Sequence, residues 1–183
     1  DPVEEQLLPA LEVEAGGGVL VRRPERPDHV VGRQAVGGEP VGVTVNSFSS
    51  VSLSPPLLLW CLQRESTSLD AFTVGRAFAV HVLQLAQERE AMRFARRAAV
   101  KFPAGTDEAG EVPPLIEGAL CRFDCTVEAQ HDGGDHLIIV GQVTHFVQTG
   151  GDPLVFQDGV FGRFTPLPRA RHVRATGQRA ECE

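Results

Sequence analysis

Short apolar runs separated by glycine-containing turns recur along this chain, a rhythm that points to an antiparallel, mainly β architecture. The clearest hairpin is Leu120 to Ala129, the turn His131-Asp132-Gly133-Gly134-Asp135, and Leu137 to Val147. Strict alternation there places Val143 and His145 on the opposite face from Thr144 and Phe146. A second turn, Asp158-Gly159, joins Leu154-Val155-Phe156 to Val160-Phe161. Val19-Leu20-Val21, Val41 to Val45 and Phe78 to Leu83 read as further strands, the last with Phe78, Val80 and Val82 on one face. Leu57 to Leu62 is continuously apolar directly after Pro55-Pro56, which reads as a strand buried on both faces. The count is six or seven strands with two helices inserted, an antiparallel barrel rather than a series of βαβ units.

The helical segments are few. Asp1 to Glu14 is acidic with Leu7, Leu8 and Leu11 at helical spacing, so residues 1–15 form an N-terminal helical extension. Ser68 N-caps a short helix through Phe72 that Gly75 ends. Gln87 to Ala99 is a second helix with Ala91, Met92, Ala95 and Ala99 on one face. Arg22 to Pro27 and Gly105 to Pro114 are loops, residues 16–165 are the main domain, and residues 166–183 are an Arg- and Pro-rich tail.

Charge and cysteine content narrow the function classes. With 17 basic and 24 acidic residues among 183, the net charge of -7 opposes general nucleic-acid binding, which depends on neutralising phosphates. No apolar run approaches the ~20 residues of a membrane helix. Four cysteines in a chain of this length do not make a disulfide scaffold, so a reducing, cytoplasmic compartment is expected. Cys121, Cys125, His131 and His136 span a hairpin at a spacing too short for a zinc finger, and no metal is expected.

The segment most suited to a ligand is Thr44-Val45-Asn46-Ser47-Phe48-Ser49-Ser50-Val51-Ser52-Leu53-Ser54-Pro55-Pro56, read as a loop between two buried strands. Its amide and hydroxyl groups suit a planar polar ligand, and the apolar residues between them can cover its faces. The alternative is a Ser-rich turn with no ligand. No G-x-G-x-x-G follows a strand, so a Rossmann domain is not supported.

That segment, with Phe78-Ala79-Val80-His81-Val82-Leu83, Arg93-Phe94-Ala95, Gly134-Asp135-His136 and Asp152-Pro153-Leu154-Val155-Phe156, resembles the flavin reductase-like, FMN-binding split-barrel family over Val41 to Phe164. The resemblance implies a Greek-key split barrel that works as a homodimer. It also implies hydride transfer from NADH or NADPH to FMN or FAD, with the reduced flavin supplied to a partner monooxygenase. By position, Asn46, Ser47, Phe48 and Ser49 would border the flavin ring, with Val51 and Ser52 behind. Ser66, Thr67 and Ser68 would receive its phosphate at the start of the short helix. Lys101, the chain's only lysine, and Phe102 would lie near the phosphate and ribityl chain. His136 would lie near the nicotinamide, with Phe161 and Arg163 on the same side. One departure is the Arg- and Pro-rich Arg22 to Pro27, where the family carries a short polar turn.

Hydride transfer needs two rings held at close range rather than a side-chain acid at the reacting carbon, and a site rich in N–H and O–H donors suits it. A flavin-binding protein without turnover and a flavin-dependent oxidase on the same barrel are the alternatives. Trp60 and Cys61 are assigned to the barrel core, and His81 and His145 to structural or interface roles.

Overall fold

The computed structural model describes residues 18–22, 40–96, 101–102 and 115–165. The N-terminal extension, most of the Arg22 to Pro27 loop, the loop from Gly105 and the tail from 166 lie outside the described residues. Nine strands are described: β1 (Gly18–Arg22), β2 (Val41–Val45), β3 (Ser49–Leu53), β4 (Pro56–Gln63), β5 (Ala77–Val82), β6 (Cys121–Gly133), β7 (His136–Gln148), β8 (Leu154–Gln157) and β9 (Val160–Arg163). One α-helix, α1 (Glu88–Ala95), follows β5, and Leu69–Phe72 forms a single 3-10 turn.

Seven strands make one antiparallel sheet in the order β2-β1-β5-β6-β7-β4-β3, and β8 and β9 pair separately. Within it β5, β6 and β7 are consecutive neighbours and β4 returns beside β7, which is a Greek key. The sheet wraps around a core of Leu58, Trp60, Phe72, Phe78, Val80, Phe123 and Ile139, and its two edge strands, β2 and β3, adjoin in sequence through Asn46 to Phe48. The result is a split barrel. Gly141 on β7 is there because the Phe78 ring passes so close that a Cβ would sit 2.5 Å from its tip.

Several elements differ from the sequence reading. Ser49–Leu53 is a strand rather than part of a loop, because Pro55-Pro56 reverses the chain and lets it pair with β4. Val51 is bulged out between Ser50 and Ser52, so the serine-rich alternation is interrupted. The main hairpin turns on two residues, Gly134-Asp135, not five, and His131 to Gly133 stay paired in β6. Gly134 has φ +75° at the first turn position, the place where a II′ hairpin requires glycine. Alternation on β7 also fails, since Val143 pairs with Cys125 and His145 with Asp124, leaving Thr144 in a bulge. Val143 and Phe146 therefore both face the core, with Phe146 stacked at 4.8 Å on Phe123.

The strand from Leu57 is buried on one face only. Leu58, Trp60 and Leu62 are buried, whereas Leu57, Leu59 and Cys61 are half-exposed on the outside. In α1 the buried residues are Ala91 and Phe94, while Met92 is 43% exposed and Ala95 is exposed. The inward stripe thus runs one position away from the face expected, with Phe94 as its anchor. Ser68 takes the N-cap position before Leu69–Phe72, but its hydroxyl makes no capping bond.

Candidate functional site

The turn from β2 into β3 is built around Ser47. Its Oγ accepts the backbone N–H of Cys61 at 2.9 Å, which ties the turn to β4 two residues before its end at Gln63. Asn46 beside it is exposed. Phe48 turns inward and packs on Phe123 with centroids 5.6 Å apart. Ser49 Oγ donates to Ser50 O at 3.4 Å, Ser52 is half-buried, and Val51 at the bulge is 48% exposed. No charged residue occurs from Val41 to Gln63. This edge offers neutral donors, carbonyls and apolar groups, a set suited to a heteroaromatic ring with imide and carbonyl edges.

The same, C-terminal end of β4 meets the tip of the main hairpin. Cross-strand partners share a face, so Leu59 with Val140, Cys61 with Ile138, and Gln63 with His136 form one outward stripe ending at the histidine. His136 Nδ1 lies 2.8 Å from Asp135 Oδ1, and this contact holds the Asp135 carboxyl below its usual range. Arg64 follows β4 directly and grips the same tip. Its backbone N–H donates to Asp135 O at 3.0 Å, its Nε donates to Gly134 O at 2.9 Å, and its Nη2 pairs with Asp132.

Ser66, Thr67 and Ser68 come next in the chain. Ser66 N–H donates to Gln63 O at 3.0 Å, and Ser66 Oγ accepts Ser68 N–H at 3.2 Å. Ser68 is buried, whereas Thr67 is exposed. The structure therefore gathers Asn46 to Ser52, Ser66 to Ser68 and His136 along β4 and its two ends. Arg64 is committed to the hairpin tip, Glu65 separates it from Ser66, and part of this turn's own hydrogen-bonding capacity is committed internally.

Lys101, Phe102, Phe161 and Arg163 form a separate group. Lys101 Nζ donates to Gly42 O at 2.7 Å, and partial burial lowers its pKa. Phe102 stacks edge-on against Phe94 at 5.2 Å, and both Phe102 and Phe161 pack on a satellite core of Leu83, Ala91, Phe94, Ile116 and Leu154. Arg163 lies 3.8 Å from Asp152, both largely exposed. The two groups connect through β2, where Thr44 Oγ1 donates to Ala91 O at 2.7 Å.

Cys121 and Cys125 take no part in this surface. Burial pushes the Cys121 thiol up to about 12 and Cys125 well above its usual value, so both are protonated at neutral pH. Among the described residues no set of three His, Cys, Asp or Glu side chains could hold a metal ion, and no helix is long and apolar enough to cross a membrane. Sequence reasoning leaves two residues at the hairpin tip without a role, Arg64 and Asp135. Their signals are a charge placed directly after an apolar strand and an acid directly before a histidine.

The site thus sets a charge-free donor edge on an antiparallel split barrel beside a hairpin tip carrying His136 and Asp135, and comparison with known proteins shows the class it belongs to. The flavin reductase-like domain matches residues 22–165. The chain is 45% identical over 126 residues to an FMN reductase (NADH) from Agrobacterium fabrum, covering 69% of this chain and 72% of that one. It is 37% identical over 132 residues to a flavin-dependent monooxygenase reductase subunit from Rhodococcus jostii, covering 70% and 67%. Among solved structures, the NADH:FAD oxidoreductase of Streptomyces globisporus C-1027, in complex with NAD and FAD fragments, superposes with a TM-score of 0.67 at 31% identity, covering 91% and 96%. The chain belongs to the flavin reductase-like family. It is an oxidoreductase that passes hydride from reduced nicotinamide to flavin.

Proposed function

We propose that this flavin reductase holds FMN or FAD along the β2–β3 turn and receives nicotinamide at His136. Asn46 and the backbone of Ser47 to Ser49 border the ring edge, with Val51 and Ser52 behind them and Phe48 fixing the turn from inside. Ser66, Thr67 and Ser68 receive the flavin phosphate. Lys101, bonded to β2 through Gly42, and Phe102 would meet the ribityl chain from across β2, whereas Phe161 and Arg163 sit with the satellite core, apart from His136, and are given no nicotinamide contact within this chain. When bound, the flavin supplies the hydride-accepting ring; the chain's own groups bind, orient and exclude water. The observation that carries this reading is the outward stripe of β4 and β7, which runs from an uncharged donor edge to His136 without a carboxylate between them.

NADH rather than NADPH is the donor we favour, after the NADH dependence in the relatives' names. The product is reduced flavin, delivered to a partner monooxygenase as in the relative that is a reductase subunit. The working form is a homodimer in a reducing cytoplasmic compartment, where Cys61, Cys121 and Cys125 remain free thiols.

The test is anaerobic reduction followed by absorbance. His136→Ala should leave the bound-flavin spectrum intact while kcat/KM for NADH falls about five- to hundred-fold, the loss of one orienting contact. Reduction at wild-type speed across NADH concentrations would remove His136 from the site. Loss of flavin binding would move it to the flavin side.

A further inference from the structure

The hairpin tip that carries His136 is held by more contacts than a two-residue turn needs. Arg64 alone makes three: to the carbonyls of Gly134 and Asp135 and to the Asp132 carboxylate. Asp132 and Asp135 are 88% and 90% exposed, so these ion pairs add little to stability. Their effect is geometric. Arg64 belongs to the segment after β4, and its grip fixes the tip of a long two-stranded hairpin relative to the strand beside the donor edge.

The Asp135 contact fixes the imidazole chemically as well. A carboxylate offers only lone pairs, so the ring nitrogen facing it must carry the hydrogen. His136 Nδ1 is that nitrogen. In the neutral ring Nε2 is then left as an acceptor, since the tautomer follows from the bond made by the other nitrogen. We propose that Arg64 and Asp135 are positioning residues that present His136 as the Nδ1–H tautomer, so that Nε2 accepts a hydrogen bond from the carboxamide N–H of the reduced nicotinamide. This rests on the placement of His136 at the nicotinamide and adds a direction to that contact: the protein accepts and the dinucleotide donates. The hydrogen bond from His136 lowers the Asp135 pKa, which keeps that carboxylate ionised and an acceptor toward Nδ1.

Two measurements on the purified protein separate this inference from the reading beneath it. The first needs no nicotinamide: 15N shifts of the His136 ring at pH 8. Wild type should show Nδ1–H, Asp135→Asn should keep it because the amide oxygen still accepts, and Asp135→Ala should move toward the Nε2–H form. An unchanged tautomer in a folded Asp135→Ala protein overturns the inference and leaves the nicotinamide placement standing. The second compares NADH with reduced 3-acetylpyridine adenine dinucleotide, whose ketone lacks the carboxamide N–H. Wild type should bind the analogue about two- to twelve-fold more weakly, the range of one hydrogen bond. In Asp135→Ala and Arg64→Ala that preference should shrink toward one, with KM for NADH raised more than kcat is lowered. Arg64→Lys should restore only part of it, because one ammonium cannot reproduce the two-directional guanidinium grip. A preference of the same size in wild type and Asp135→Ala would falsify the proposed direction of the bond. If His136→Ala leaves NADH kinetics untouched, the site reading fails, and this inference with it.

Discussion

At the scale of single residues, the donor edge divides between groups that hold the fold and groups free for a ligand. Ser47 belongs to the first kind, because its Oγ accepts the N–H of Cys61 at 2.9 Å. Asn46 is exposed and belongs to the second. The two therefore separate by experiment. Asn46→Ala should weaken flavin binding about two- to twelve-fold with little change in the urea midpoint. Ser47→Ala should lower stability by about 1–3 kcal/mol, because the Cys61 amide loses its acceptor, and should weaken flavin as a consequence. Titration of flavin fluorescence together with urea unfolding of both variants checks the division; an Asn46→Ala protein with wild-type flavin affinity removes that amide from the site. Sequence alone places both residues at the edge as neighbours. It does not tell them apart, because the bond that distinguishes them spans fourteen positions along the chain.

At the scale of elements, legibility follows periodicity. Strands whose apolar residues alternate or run unbroken, such as β2, β4 and β5, are legible close to their observed bounds. What escapes are the places where pairing overrides local pattern. The Thr144 bulge resets the alternation of β7, and serines with low strand preference become β3 because β4 supplies partners for their backbone. Helix α1 shows a third failure. Its small and apolar residues allow two inward faces, and the choice is made by Phe94 entering the satellite core beside Phe102, Leu83 and Leu154. Phe94→Ala should therefore cost about 3–5 kcal/mol, as for other buried aromatic truncations. Met92→Ala, on the exposed side, should change stability by less than about 0.5 kcal/mol. Chemical unfolding of the pair reads the result directly; equal losses would restore the face that the alanine spacing suggests.

At the scale of the molecule, the sheet closes on its inner face and remains unfinished on its outer one. Inside, Leu58, Trp60 and Ile139 are fully buried. Outside, Leu57, Leu59, Cys61, Ile138 and Val140 are only half-covered, and Val51 and Leu53 on the neighbouring edge strand are 48% and 37% exposed. A contiguous apolar stripe of this kind on a sheet face is characteristic of a surface that is covered in use. Its direct cross-strand pairs, Leu59 with Val140 and Cys61 with Ile138, are flat and uncharged, which suits a self-complementary contact across a two-fold axis. The same stripe ends at His136, so a second copy seated there would wall the nucleotide site and exclude water from it. In sedimentation velocity the protein should accordingly run as a species of twice the 19.7 kDa chain mass. Leu59→Arg should shift it to the single-chain mass by placing an unpaired charge in the contact, since burying a charge without a partner is strongly opposed. Because the residue projects outward, far-ultraviolet circular dichroism should remain that of a folded sheet, and NADH-dependent flavin reduction should fall as the site loses its wall. A wild-type protein that sediments as one chain at micromolar concentration, with full reductase turnover, would show that the barrel completes its site alone.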